Sequence, residues 1–332
     1  MIKKILKKII YKLSIIASKN RWLTVFYYTI NTKGFQHEQH NVLRGVIKNK
    51  TDKNNIANFR RAIHRIEKGL ITQPLKPIFA ESYILETVLT YKRLLNDDCD
   101  KTTLLWGKGI LIQYFEIVEK TDIITKAYSE FLKLIEFETS NLPSTYFANE
   151  RVRSKITIDD FFELNKQRRS IRYYQNKEVP REIVEKAIKI ALQSPSACNR
   201  QPFSFRVIDD PSMLRTAASL PMGATTFSDN IPMMVFIIGD LSSYFDERDK
   251  HIIYIDASLA AMNFILALEV QGLSSCIINW SDIPKRNKRL KKFLKLEDWE
   301  QCVMSISIGY ALPECGVASS MKKDVETVTK YN

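Results

Sequence analysis

At 332 residues the chain is long enough for two hydrophobic cores, so two domains are the starting expectation. Hydrophobic content of 45% with 26% charged residues describes an ordinary globular protein and excludes a disordered or fibrous one. The net charge of +13 is concentrated at one end: residues 1–60 hold thirteen Lys and Arg against Glu38 and Asp52, leaving +2 for the rest, which excludes a protein-wide nucleic-acid surface.

In chain order, Ile2, Ile5, Leu6, Ile9, Ile10, Leu13 and Ile16 recur at helical spacing, with Lys3, Lys4, Lys7, Lys8 and Lys12 on much of the other face. The pattern predicts a basic amphipathic helix over residues 2–16. Its lysines interrupt the apolar run too early for a membrane span, and no small-residue cleavage site follows. Two placements are open: on an anionic membrane surface, or docked on the protein itself. Docked helices are the commoner case, and docking is the expectation here. Residues 20–50 are mixed, with a turn at Asn31–Gly34, and Lys50–Asn55 reads as a polar loop. Helical periodicity returns from Ile56 to Gly69, and residues 80–95 and 108–137 also read as helical after a loop marked by Pro74 and Pro77. The polar segment His64–Leu70 suits a salt-bridged helix end, with a pocket role as the alternative. Residues 1–150 are thus expected to be an all-α region, joined through a linker at Asn141–Asn149 to a second domain at 151–332.

Beyond the linker, Asp159 can cap a helix running to Arg168, and Pro180 can open another through Ser194 with Ile183, Val184, Ala187, Ile188 and Ala191 inward. Strands are predicted at Phe203–Asp209, Met233–Gly239, Ser275–Asn279 and Val303–Gly309. Ile255–Val270 is a nearly all-apolar helix, a composition that suits burial on several sides, including at a subunit interface. Strands and helices alternate irregularly and no G-x-G-x-x-G follows a strand, which argues against a dinucleotide-binding Rossmann domain and for an α+β sandwich. Cys99, Cys198, Cys276, Cys302 and Cys315 form no C-x-x-C pair, which suits a reducing compartment and argues against a zinc site. Cys198 reads as a small residue filling a turn, with a reactive thiol as the alternative. With four histidines and no Ser-His-Asp, paired-carboxylate or metal-ligand arrangement, no side chain stands out as catalytic.

Chemistry is concentrated in two stretches. Arg168-Arg169-Ser170-Ile171-Arg172 places three guanidiniums and a hydroxyl within five residues, a composition suited to a phosphate. Ser194-Pro195-Ser196-Ala197-Cys198-Asn199-Arg200-Gln201-Pro202 follows, a turn in which small residues and amides let backbone approach a flat ring. Downstream come Gly272–Trp280, then Ile308-Gly309-Tyr310, then Lys322-Lys323-Asp324-Val325-Glu326. In this order the motifs resemble those of the nitroreductase family over residues 155–330, and their joint occurrence gives the resemblance its specificity.

The resemblance implies an FMN-dependent homodimer with a three-layer α+β sandwich around a central, mostly antiparallel sheet, preceded here by an all-α region. Arg168, Ser170 and Arg172 would hold the phosphate and pyrimidine edge, with Arg169 at the variable position between them. Pro195, Ser196, Ala197 and Asn199 would lie against the flavin. A backbone N–H at Ile278 or Asn279 would meet N5, and Lys322 would reach the phosphate. Where many members carry an Asn that reads the flavin, this chain has Gly223-Ala224-Thr225, so Thr225 or a backbone group would substitute; Lys322 stands where Arg is common. The helical extension, with its His-Arg-Ile-Glu-Lys-Gly-Leu, is similar to that of bacterial members encoded with cell-surface polysaccharide genes. The expected function is an oxidoreductase in the cytoplasm that moves hydride from NAD(P)H through FMN to an electron-poor small molecule. Residues 2–16 offer an alternative peripheral contact with the inner face of the membrane. Two rival readings are a flavin oxidase or dehydrogenase acting on a cell-envelope polysaccharide intermediate, and a non-catalytic flavin-fold scaffold.

Overall fold

A computed structural model describes residues 2–97, 99–134 and 142–332. The first part of the chain is helical throughout: α1 (Ile2–Ala17), α2 (Arg21–Asn31), α3 (Gly34–Thr51), α4 (Ile56–Leu70), α5 (Glu81–Leu95), α6 (Lys101–Ile117) and α7 (Asp122–Leu132). Side-chain caps set several of the starts. Asn55 accepts from the Asn58 N–H, Asp100 from Thr102 and Thr103, and Thr121 from Ile124, each satisfying an otherwise unpaired helix-start donor. The expected single helix over 108–137 is instead α6 and α7. Val118 has extended backbone and Thr121 caps a new start, while residues 135–137 lie outside the described residues. The mixed stretch 20–50 is two helices broken at Thr32–Lys33, and the loop after α3 is confined to residues 52–55. Of the expected linker, residue 141 lies outside the described residues; 142–147 are irregular and a short 3-10 turn occupies Ala148–Glu150.

Helices α4 to α7 enclose one apolar core containing Phe59, Ile63, Val88, Tyr91, Ile110, Tyr114, Ile124 and Phe131, all essentially buried. Each such side chain contributes roughly 1.5–3 kcal/mol by leaving water. Helix α1 shares none of this. Among the described residues its Ile5, Ile9, Leu13 and Ile16 remain 49–58% exposed and its substantial contacts are with α2, so the expected docking on the body of the protein is not seen. The sequence carries no acidic residue before Glu38, so α1 and α2 hold basic charges only.

The second part is α+β: α8 (Ile158–Gln167), α9 (Arg181–Ala191), β1 (Phe203–Ile208), α10 (Pro211–Ser219), β2 (Met233–Asp240), α11 (Ile252–Val270), β3 (Ser274–Asn279), α12 (Pro284–Leu294), β4 (Glu300–Gly309) and the short α13 (Val325–Val328). The cap of α8 is Thr157, in a reciprocal box with Asp160, and not Asp159, which falls inside the first turn. The strands form one antiparallel sheet in the order β1-β2-β4-β3, leaving β3 as an edge. Alternation along β2 builds both faces at once. Met233, Val235 and Ile237 face α9 and α11, whereas Met234, Phe236 and Ile238 face the side covered by α10 and α12. Two helical layers around one sheet make the expected three-layer sandwich.

Segment Glu247–Val270 is apolar and long enough to cross a membrane by length and composition, yet half of its apolar window is buried against the sheet and α9. Its uncovered side carries Ile255, Leu259 and Met262, on one face at helical spacing and 39–52% exposed. The helical part meets the sheet part at close range. A Cβ on Gly45 of α3 would lie 2.7 Å from Leu241 Cβ, and Asn49 and Asn55 both donate to the Ser242 carbonyl, at 2.6 and 3.1 Å.

Candidate functional site

Helix α8 ends at Arg168, and the chain then runs beside the free edge of β3: Ser170 bridges Ser275, and the Ile171 N–H donates to the Ser275 carbonyl at 3.1 Å. This pairing holds the arginine motif in an extended run against the sheet. Among the described residues, Arg168 has its Nε buried without a partner, while Arg169 and Arg172 reach only backbone carbonyls, at 3.4 and 3.5 Å. Glu269, near the end of α11, is the carboxylate close to Arg168; it accepts from Gln167 at 3.3 Å and leaves Oε2 buried and unpaired. Burial raises the Glu269 carboxyl above its ordinary range, against the opposing pull of Gln167 and Arg168. Burial likewise pushes the Cys276 thiol up, with Arg172, Ser170 and Arg168 acting the other way. An orphaned guanidinium nitrogen and two further guanidiniums with weak acceptors fit an incoming phosphate.

The edge position of β3 also sorts its backbone donors. Because Ser275 turns its carbonyl to Ile171, the two-residue alternation turns Ile277 and Asn279 to the same open edge and Ile278 into the ladder with β4. Of the two N–H groups expected near N5, the one available along this edge is therefore that of Asn279. Gly223 packs over the same strand, a Cβ there meeting Ile278 Cγ2 at 2.9 Å. Thr225 is exposed and its hydroxyl donates back to Met222 O at 2.7 Å, so it caps its own turn instead of reaching over the strand. Lys322 is exposed in the irregular stretch after β4 and, among the described residues, forms no hydrogen bond or ion pair.

The Ser194–Pro202 turn is built on strained backbone. Cys198, Asn199 and Gln201 adopt φ of 54°, 51° and 53°, a conformation costing roughly 1–2 kcal/mol for each L-residue. Asp256, buried in the second turn of α11, holds this geometry: its Oδ2 accepts from Ser196 Oγ at 2.6 Å and from the Ala197 N–H at 2.9 Å. Ser196 Oγ in turn accepts from the Gln201 N–H at 2.8 Å, and Arg60 of α4 donates to the Asn199 carbonyl at 2.8 Å. Burial raises the Asp256 carboxyl, opposed by Ser196, Ala197 and Arg200. The sequence reading missed both Asp256 and Arg60. For Asp256 a signal existed, since one carboxylate inside a nearly all-apolar helix requires a buried partner.

One chain does not bring the two principal motifs together. Asp256 anchors the turn near the start of α11, and Arg168 adjoins Glu269 near its end; at about 1.5 Å rise per residue, roughly 20 Å of helix separates them.

The sequence model of the nitroreductase family matches residues 166–310. A protein of Archaeoglobus fulgidus described as an NADH dehydrogenase/NAD(P)H nitroreductase is 31% identical over 153 residues, covering 44% of this chain and 83% of that one. This chain belongs to the nitroreductase family. Iodotyrosine deiodinase 1 of Sus scrofa is 25% identical over 224 residues, covering 58% of this chain and 75% of its own. Among solved structures, an FMN-dependent nitroreductase from Clostridium difficile is 29% identical with a TM-score of 0.45, covering 52% of this chain and 99% of that chain. The family match begins at Lys166, so α1 to α7 lie outside it.

Proposed function

We propose that this nitroreductase-family chain is a homodimeric FMN-dependent oxidoreductase that draws on NAD(P)H and reduces an electron-poor small molecule. The observation that carries the reading is the set of under-partnered guanidiniums of Arg168, Arg169 and Arg172 along the free edge of β3, where they suit the phosphate of FMN. When bound, FMN supplies the two-electron chemistry, and the protein supplies position and charge. Ser170 adds a hydroxyl beside the phosphate, the Asn279 N–H offers a donor at the open edge, and the turn Pro195–Asn199 presents rigid backbone to the ring. NAD(P)H as donor follows the names carried by relatives such as the A. fulgidus protein.

The 20 Å estimated between the motifs favours a composite site, in which the turn of one protomer and the arginine motif of its partner serve one flavin. The exposed stripe Ile255, Leu259 and Met262 is a dimer face of suitable chemistry, with Lys322 in an exposed tail able to reach the partner. In this reading residues 1–150 form a helical region with its own core and residues 151–332 the flavin-binding domain. The enzyme works in the cytoplasm with a peripheral hold on the inner face of the membrane, because α1 and α2 combine exposed Ile9, Leu13, Trp22 and Phe26 with basic residues alone up to Glu38. The test is the visible spectrum of purified protein before and after anaerobic NADPH. A flavin band that bleaches supports the proposal, whereas a colourless protein that takes up no added FMN ends it.

A further inference from the structure

A second group of cations stands apart from Arg168–Arg172, where α4 faces the strained turn. Burial lowers the pKa of Arg61 of α4, and the nearby charges of Arg65 on the same helix and Arg200 of the turn lower it further. Each rests on an aromatic face instead of a carboxylate: Arg61 on Phe245 at 5.0 Å, Arg65 on Tyr83 at 3.9 Å and Arg200 on Tyr244 at 4.8 Å. Among the described residues, none of the three guanidiniums forms a hydrogen bond or an ion pair. Arg200 is only 6% exposed and its Nε is buried without a partner; its nearby carboxylate, Asp256, is already engaged by Ser196 and Ala197.

Stacking fixes the plane of a guanidinium while leaving its N–H edge free to donate. A cavity of about 330 Å³ opens beside this group, lined by Arg61, Arg65, Lys50 and Lys53. The two carboxylates on its wall have other cations: Asp52 pairs with Lys48 at 3.1 Å and Glu86 with Arg93 at 2.6 Å. Four cations around a cavity of small-molecule size, without a free counter-charge, make a receptor for an anion.

We propose that Arg61 and Arg65, flanked by Lys50 and Lys53, bind the carboxylate or phosphate of the small molecule this enzyme acts on. That the anion belongs to the reduced substrate rests on the flavin reading above; the anion site itself does not. Helix α4 thereby makes the helical extension part of substrate recognition, because the same helix touches the turn at Asn199.

The test is calorimetry of the full chain with excess FMN present, using 4-nitrobenzoate and 4-nitrophenyl phosphate as probes and uncharged nitrobenzene for comparison. At least one anion should bind well ahead of nitrobenzene, and which one binds tells carboxylate from phosphate. Arg61→Gln/Arg65→Gln should weaken that binding on the order of a hundredfold, as expected for two lost charge-assisted bonds. Arg61→Lys/Arg65→Lys should recover part of it. Should the double variant melt early, Lys50→Gln/Lys53→Gln, altering exposed side chains of the same cavity, should give a smaller loss of the same sign. Equal anion binding in wild type and variants, or no preference of the wild type for either anion, overturns the proposal. A colourless protein that still binds the anion through Arg61 and Arg65 would retain this site and lose the flavin reading; a yellow protein indifferent to both anions would do the reverse.

Discussion

Arginines gather at two places in this molecule, and the two groups are held differently. Arg168, Arg169 and Arg172 are neighbours in sequence, laid along an edge strand, with Glu269 and backbone carbonyls as their surroundings. Arg61 and Arg65 project from one helix, and the rings that hold them, Phe245 and Tyr83, come from distant parts of the chain. The first group is local, so its spacing alone declares it. The second acquires its character through tertiary contacts, because a stacked guanidinium without a carboxylate differs chemically from a solvated one. In both, the donors left unpaired by the protein are the ones available to a ligand.

The sharpest break between the groups is expected from Arg168→Ala/Arg172→Ala. At roughly 1.5–3 kcal/mol for each charge-assisted bond, FMN affinity should fall a hundredfold or more, read as flavin per chain after gel filtration. The Arg61→Gln/Arg65→Gln variant should keep its flavin, and full flavin retention by the first variant would sink the assignment of its motif.

Asp256 comes next, since it holds the turn that lies between the groups. Asp256→Ala removes two hydrogen bonds that hold the strained turn and should cost about 2–4 kcal/mol in urea unfolding, with weaker FMN retention. Because burial raises this carboxyl, the native state holds its proton more tightly than the unfolded chain. The Asp256 contribution to stability should therefore decline as pH rises from the ordinary aspartate range to the raised pKa, and stay level above it. Asp256→Asn should lack that slope, and an unchanged slope in the variant would assign it to another group.

The junction between the two parts allows a smaller test. Gly45→Ala presses a methyl on Leu241 and should cost roughly 1–3 kcal/mol by overpacking. If the parts are separate folding units, thermal unfolding of this variant should divide into two transitions; one sharper, single transition would argue for a shared unit.

The smallest effect on stability is expected from deleting residues 1–20, because the apolar face of α1 is already half-exposed. Unfolding free energy should change by less than ~1 kcal/mol, while salt-sensitive binding to anionic vesicles should disappear, each nearby Lys or Arg having contributed ~1 kcal/mol to it. A large fall in melting temperature would instead show that α1 docks in solution.

The sequence alone determined the features whose cause is local. Alternation and turn residues located all four strands to within three residues at either end, because side-chain period and backbone type are set by neighbours. Pro180 and the apolar rows of α4 and α9 marked their helices for the same reason. The arginine motif and the small-residue turn were legible as short, contiguous patterns. Only the tertiary structure decided the rest. It turned Asn279 and not Ile278 to the open edge, since strand order makes β3 an edge; it set Thr225 on its own turn; and it put Asp256 under Ser196 and Ala197. It also left α1 uncovered, although its periodicity is that of a docked helix, because an apolar stripe specifies that a helix needs a partner and not which one. The aromatic beds of Arg61, Arg65 and Arg200 lie 18 to 184 residues from the cations they hold, a separation no spacing rule spans and that packing alone closes.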